Sequence, residues 1–267
     1  IEQMGAVLLA FEGMSILSLL IQKKRIPAVI WIQTVITFAA FVILFMAPGN
    51  DVRVASEIAT WMPGYKELSV GKHLFMTIQW MLSSFANDGK AFFIAIWTAG
   101  FLLLMKSKKA KVYQILAVVF SVVALLPYAG ISFFSEMGIG YIDIEQRLTE
   151  LPTWQTMNIQ NRIAFFWWIA AVLFTMVLLW KVTGHSVFIS MVFLGGIASE
   201  AVLHFSPTIY ASGARVYYLT DLMYLFIILW MVMRMDSEKK KNLFIAGAAA
   251  LGIINFLSQY SIMLLKL

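Results

Sequence analysis

The residues that could do chemistry in this chain gather at the ends of its apolar runs. Ala47-Pro48-Gly49-Asn50-Asp51-Val52-Arg53 follows the second run. Pro48 ends a helix there, and Gly49 and Asn50 permit a tight turn with positive φ. Such a turn presents free backbone N–H groups and, beside Arg53, makes an anion site. Asp51 in this turn is the first candidate for a general base, since an acceptor can reach it. The plainer alternative is a helix terminator with an Asp51–Arg53 ion pair. A second group begins with Glu200 and His204, four residues apart on one helical face. Ser206-Pro207 and Ser212-Gly213-Ala214-Arg215 follow, with Asp221 a turn or two into the next apolar run. Ionisable groups at that depth are expensive, and they face a polar cavity or one another. They form either a structural cluster, Glu200–His204 with Arg215 or Asp221, or a substrate pocket. In the pocket reading the carboxylates hold hydroxyls or a proton, and the planar fork of Arg215 matches phosphate oxygens. Burial suits Glu200 to a proton role and makes it the second candidate base. Glu12, near Gly5 and Gly13, reads as a hydrogen-bonding group between closely packed helices. Gly195-Gly196 likewise reads as a packing notch.

Other chemistries lack their residues. The chain has no cysteine, which excludes disulfides, thiolate metal sites and cysteine nucleophiles. It has no Gly-rich phosphate loop with a lysine, no HExxH and no serine elbow. His73, His185 and His204 are not spaced to make a metal site on their own. No cofactor can be named from these residues.

The elements that must position these groups follow from composition. The 267 residues are 61% hydrophobic and 13% charged, with mean hydropathy +0.83. Soluble domains carry roughly 45–50% apolar and about 25% charged residues, so a soluble globular enzyme is excluded. The apolar runs are near twenty residues long, the length of membrane-spanning helices rather than barrel strands. The expected fold is therefore all-α: a polytopic transmembrane helical bundle forming one domain over 1–267. Eight spans are expected, at about 4–22, 27–47, 91–105, 112–134, 162–182, 184–205, 216–233 and 243–265. The apolar stretch 73–86 reads as an interfacial helix or half of a re-entrant hairpin. The run Phe165-Phe166-Trp167-Trp168 and the pair Tyr217-Tyr218 read as interfacial anchors. The chain opens without an initiator methionine and without a basic leader, so it reads as processed or truncated.

Charge placement supplies orientation. Twelve of the twenty basic residues fall in alternate short connections: Lys23-Lys24-Arg25, Lys106 to Lys111, Lys181, and Arg234 with Lys239-Lys240-Lys241. Only Asp236 and Glu238 oppose them there, which marks that side as cytoplasmic. The net charge of +6 is thus a topology signal, and nucleic acid is not an expected partner. The long connections 48–90, 135–161 and 206–215 then lie outside, and loops of that length are usually functional or disordered. Arg53, Arg162 and Arg215 stand at the depth of lipid phosphates.

The segment Ala47-Pro48-Gly49-Asn50-x-x-Arg53, with Ser206-Pro207 and the later Arg215, resembles signatures of bacterial multi-pass membrane proteins. These are similar in layout to GT-C glycosyltransferases that use lipid-linked sugars. The resemblance implies transfer of a sugar from a polyprenyl-phosphate donor to a cell-surface glycan or lipid, on the external face of the plasma membrane. It implies Asp51 or Glu200 as the catalytic carboxylate, with Asn50, Arg53, Arg162, His204, Arg215 and Asp221 around the substrate. In that class the catalytic acid lies in the first external loop, after the first span, and a truncated chain would carry it before Ile1. A proton- or ion-coupled transporter or flippase using Glu12, Glu200 and Asp221 is the competing expectation, and a non-catalytic membrane partner is the third.

Overall fold

The computed structural model describes residues 2–129, 154, 155, 157, 159–184, 187–202, 206, 207 and 217–264. The regular structure in them is entirely helical, and ten α-helices carry it. These are α1 (Glu2–Ile21), α2 (Ala28–Phe45), α3 (Pro48–Trp61), α4 (Val70–Ser84) and α5 (Lys90–Leu104). They continue with α6 (Lys111–Leu125), α7 (Ile159–Val182), α8 (Val187–Ala201), α9 (Tyr218–Met233) and α10 (Glu238–Leu264). Three segments are long and apolar enough to cross a membrane: Met4–Ile21, Lys108–Tyr128 and Asn161–Val182. Ala28–Leu44 and Gly49–Trp61, bent by 59°, add a fourth if they count as one span. An all-α fold with apolar helices of this length is a membrane-embedded one.

Local sequence explains how the helices start and stop. At the end of α1, Lys24 N–H bonds to Leu19 O and Lys23 N–H to Leu20 O, with Lys23 at φ +54°. This is the double-bonded C-terminal cap that usually carries glycine in its left-handed position. Pro27 precedes α2 and Pro48 opens α3, where a missing N–H costs no helical bond. Between α4 and α5 the backbone stays helical. Phe85–Gly89 form a π-helical turn, and Ser84, Gly89 and Lys90 all keep right-handed helical dihedrals. The 73–86 stretch is therefore helical, and the helical dihedrals continue through Gly89 into Lys90. Asn87-Asp88-Gly89, which looks like a turn in sequence, is absorbed into the helix as a single wide turn of the kind found at functional positions.

The chain divides into two compact units. The first comprises Ile1–Met81, Gly138–Met157 and Ser186–Met223. In it α1 packs against both α2 and α8. Glycines permit the close approach. A Cβ on Gly5 would stand 2.6 Å from Phe41 Cδ2, and one on Gly195 would stand 2.8 Å from Phe11 Cε2. Gly195 is thus the packing notch its sequence suggested, whereas Gly13 faces open space. Glu12 is buried, and its Oε1 accepts a 2.8 Å bond from Thr37 Oγ1 across α1 and α2.

The second unit comprises Leu82–Met137, Asn158–His185 and Tyr224–Leu267, with α5 packed on α6, α7 and α10. Its centre is Trp97, fully buried, donating a 2.8 Å bond from Nε1 to Thr175 Oγ1. Phe93, Phe120 and Trp167 surround the Trp97 ring at centroid distances of 5.7, 5.4 and 6.3 Å. The aromatic run at 165–168 accordingly splits between core and surface. Phe165 and Trp168 are buried while Phe166 is exposed, because successive helical residues point about 100° apart.

At one end of this unit Asp236 accepts from Lys106 at 2.6 Å and pairs with Lys240 at 3.0 Å. These bonds, the Lys106 one foremost, hold its carboxyl down at about pKa 2. A depressed native pKa contributes stability above the unfolded carboxylate value, and that contribution is lost as pH falls through the native value. Asp236→Asn is therefore expected to be less stable than the parent protein at pH 6. The two should converge as pH drops from about 4 toward 2, in thermal unfolding followed by circular dichroism. A stability gap that persists at the acid end would overturn this reading.

Candidate functional site

The Pro48–Arg53 segment is a helix start rather than a turn. Ala47 is extended, Pro48 to Arg53 are helical, and the described glycines with positive φ are Gly64 and Gly184. Pro48 breaks the bonding of α2 and fits the first position of α3, so one residue both ends and begins a helix. Asn50 fastens the bend, donating from Nδ2 to Leu44 O at 2.7 Å, while its own N–H bonds to Ala47 O. Asp51 is exposed in the first turn of α3, where a carboxylate is favoured by the helix dipole. Arg53 Nε approaches Glu57 Oε1 at 3.8 Å, one turn along the same helix. Sequence reading missed Glu57, although the i, i+4 spacing from Arg53 signals it.

The second group is built on the last turn of α8 and the first turn of α9. Thr220 Oγ1 donates to Gly196 O at 3.0 Å and is itself buried, which ties the two helix ends together. Glu200, one turn beyond Gly196 on α8, is 2% exposed, and Asp221 follows Thr220 and is partly buried. Ser199 is 0% exposed and its Oγ has no hydrogen-bond partner among the described residues. The Tyr217 ring lies 5.3 Å from that of Trp80 in α4, and Tyr217 is buried while Tyr218 is exposed. Next to Trp80, Gln79 is 2% exposed and its Oε1 also lacks a partner among the described residues. The structure thus brings Glu200 and Asp221 to the joined ends of two helices. His204 and Arg215 lie outside the described residues. Arg162, in the first turn of α7, belongs to the second unit and is partly buried.

A third polar group was not singled out from sequence. Around the π turn, Asn87 Nδ2 donates to Ser83 Oγ at 3.2 Å, and Lys90 Nζ lies 4.6 Å from the centre of the Tyr128 ring. Asp88 and Lys90 stand just before the span expected at 91–105. Desolvation pushes the Asp88 carboxyl up and the Lys90 ammonium down, and each charge partly restores the other. The signal in sequence was two opposite charges flanking a glycine at the head of an apolar run.

Near α4, His73 Nε2 lies 3.2 Å from Tyr65 O and the two rings are 4.8 Å apart. Among the described residues, no three of His, Asp or Glu come together as a metal site. The features in hand define an all-α, membrane-embedded protein with one buried carboxylate, Glu12, midway along a helix and another, Glu200, at a helix end. No family model, curated protein or solved structure matches the chain.

Proposed function

We propose that this chain is a membrane transferase that moves a sugar from a polyprenyl-phosphate donor to a cell-surface glycan or lipid. We further propose that it works in a bacterial plasma membrane, with the joined ends of α8 and α9 toward the outside. The observation that carries this reading is the α8 terminus. Glu200 is almost wholly buried there and follows Ser199, whose buried hydroxyl has no hydrogen-bond partner among the described residues, and Asp221 follows the Thr220 that holds the helices together. Buried polar atoms without partners cost about 1–3 kcal/mol each, so a site that keeps them gains by receiving hydroxyls. A sugar is rich in hydroxyls, and a carboxylate among them can remove the acceptor proton as the donor phosphate departs. The isoprenoid tail of the donor belongs in lipid, which suits a site at the end of apolar helices. Arg53, in the same unit, supplies a cation for its phosphate. The resemblance of Ala47-Pro48-Gly49-Asn50-x-x-Arg53 and Ser206-Pro207…Arg215 to lipid-linked-sugar enzymes points the same way.

A second reading rests on Glu12. Its Oε2 is buried without a hydrogen-bond partner among the described residues, midway along a membrane helix, a placement that suits a proton or cation path in a transporter. Reconstitution into liposomes separates the two. Transfer of labelled sugar from a polyprenyl-phosphate donor to an added acceptor supports the enzyme. Proton-coupled flux without any transfer would replace it by the transporter.

A further inference from the structure

Two basic hairpins far apart in sequence form one surface in the second unit. Lys106, Lys108, Lys109 and Lys111 lie between α5 and α6 and at the head of α6, and Arg234, Lys239, Lys240 and Lys241 lie around the α9–α10 connection. Asp236 joins them through Lys106 and Lys240, and Lys240 Nζ also donates to Leu102 O at 2.9 Å. Lys241 is held by Glu238 at 2.7 Å. These two stretches contain eight basic and two acidic residues, a surplus of six that equals the formal net charge of the whole chain.

The internal pairs consume only part of this charge. Lys108, Lys109, Lys111 and Lys239 are exposed and have no ion pair among the described residues. α6 begins at Lys111 with no side-chain cap and no acid in its first turn, so the helix dipole adds to the lysines. Self-repulsion of this kind calls for an anion. The neighbouring side chains say which anion. Met105, Val112, Ile115, Met233 and Leu243 beside the lysines are all exposed and apolar. Arg234 stacks over the Trp230 ring at 4.8 Å, an aromatic–cation pair typical of headgroup depth. A soluble polyanion would meet the lysines but leave the apolar rim bare.

We propose that this composite surface binds the phosphodiester headgroup of an anionic phospholipid, whose acyl chains lie on the apolar rim. Asp236 acts as the clasp that brings the two lysine sets to one headgroup. Each lysine near such a headgroup contributes about fivefold in affinity, so three contribute about a hundredfold. The test titrates the purified full-length chain in detergent with phosphatidylglycerol or phosphatidylcholine and counts retained lipid by native mass spectrometry. Preferential retention of phosphatidylglycerol is expected, with about a hundredfold loss in K108Q/K109Q/K111Q and little loss in K108R/K109R/K111R. The effect of Lys239→Gln should shrink in the triple-variant background, because both hairpins serve one headgroup. K66Q/K72Q, with lysines outside this unit, should bind as the parent does. Equal retention of the two lipids, unchanged affinity in K108Q/K109Q/K111Q, an equal loss in K66Q/K72Q, or tighter binding of soluble polyphosphate would each overturn the proposal.

Discussion

Under the transferase proposal, Glu200→Gln is expected to lower sugar transfer by about 10²–10⁴-fold, the usual worth of a positioned general base. Glutamine keeps the volume and one hydrogen-bonding oxygen of glutamate but cannot take a proton. The fold around it should persist, because the Thr220–Gly196 bond that joins α8 to α9 does not involve the Glu200 side chain. The measurement is initial transfer rate from a polyprenyl-phosphate sugar in proteoliposomes, with unfolding followed in parallel. Asp51→Asn belongs in the same experiment. Asp51 is exposed at the start of α3, and its replacement should cost only the few tenths to about 1 kcal/mol of a dipole contact if it has no chemical role. Full turnover in Glu200→Gln with lost turnover in Asp51→Asn would move the base to the α3 start. Full turnover in both would remove both assignments.

Trp97→Ala is expected to destabilise the second unit by about 3–5 kcal/mol, the range for deleting a buried large aromatic. Every part of the side chain is engaged: the ring against Phe93, Phe120 and Trp167, and Nε1 with Thr175. In a bilayer the unfolded helix is already in an apolar solvent, so the loss comes from packing and the cavity rather than from water exclusion. Trp97→Phe separates the contributions, because it keeps most of the packing and removes only the indole bond, worth about 0.5–1.5 kcal/mol. Unfolding in mixed detergent micelles reads both variants. A loss below about 1 kcal/mol for Trp97→Ala would show that the core can collapse into the cavity.

A change at Trp97 concerns a residue whose partner Thr175 is 78 positions away, and that distance marks what a sequence can and cannot specify. Runs of apolar residues near twenty long determined the helices by themselves, because a backbone in lipid must satisfy its hydrogen bonds within the segment. The expected spans at 4–22, 112–134 and 162–182 therefore correspond to the segments Met4–Ile21, Lys108–Tyr128 and Asn161–Val182, which are long and apolar enough to cross a membrane, whereas the helix at 91–105 is too short to pass that test. Gly195 was legible as a notch for the same local reason: a missing side chain beside another glycine leaves room for a neighbour. The Pro48 segment was only half legible. Proline predicts that α2 must stop, yet whether the chain turns or starts a new helix depends on whether the freed carbonyls find donors. The Asn50 side chain supplies one to Leu44 O, and the helix resumes at once. Similarly, Asn87-Asp88-Gly89 carries turn residues, but packing of Phe85 and its neighbours holds them helical as a π turn. The lysine hairpins were visible as charge, but their fusion was not. Lys106 and Asp236 meet across 130 residues because α5 packs on α10, and packing between helices is decided by side-chain fit that no local pattern records. For the same reason the carboxylates at 200 and 221 could be named from sequence as costly groups in need of partners. The joining of their helices through Thr220 and Gly196 was decided only by the tertiary structure.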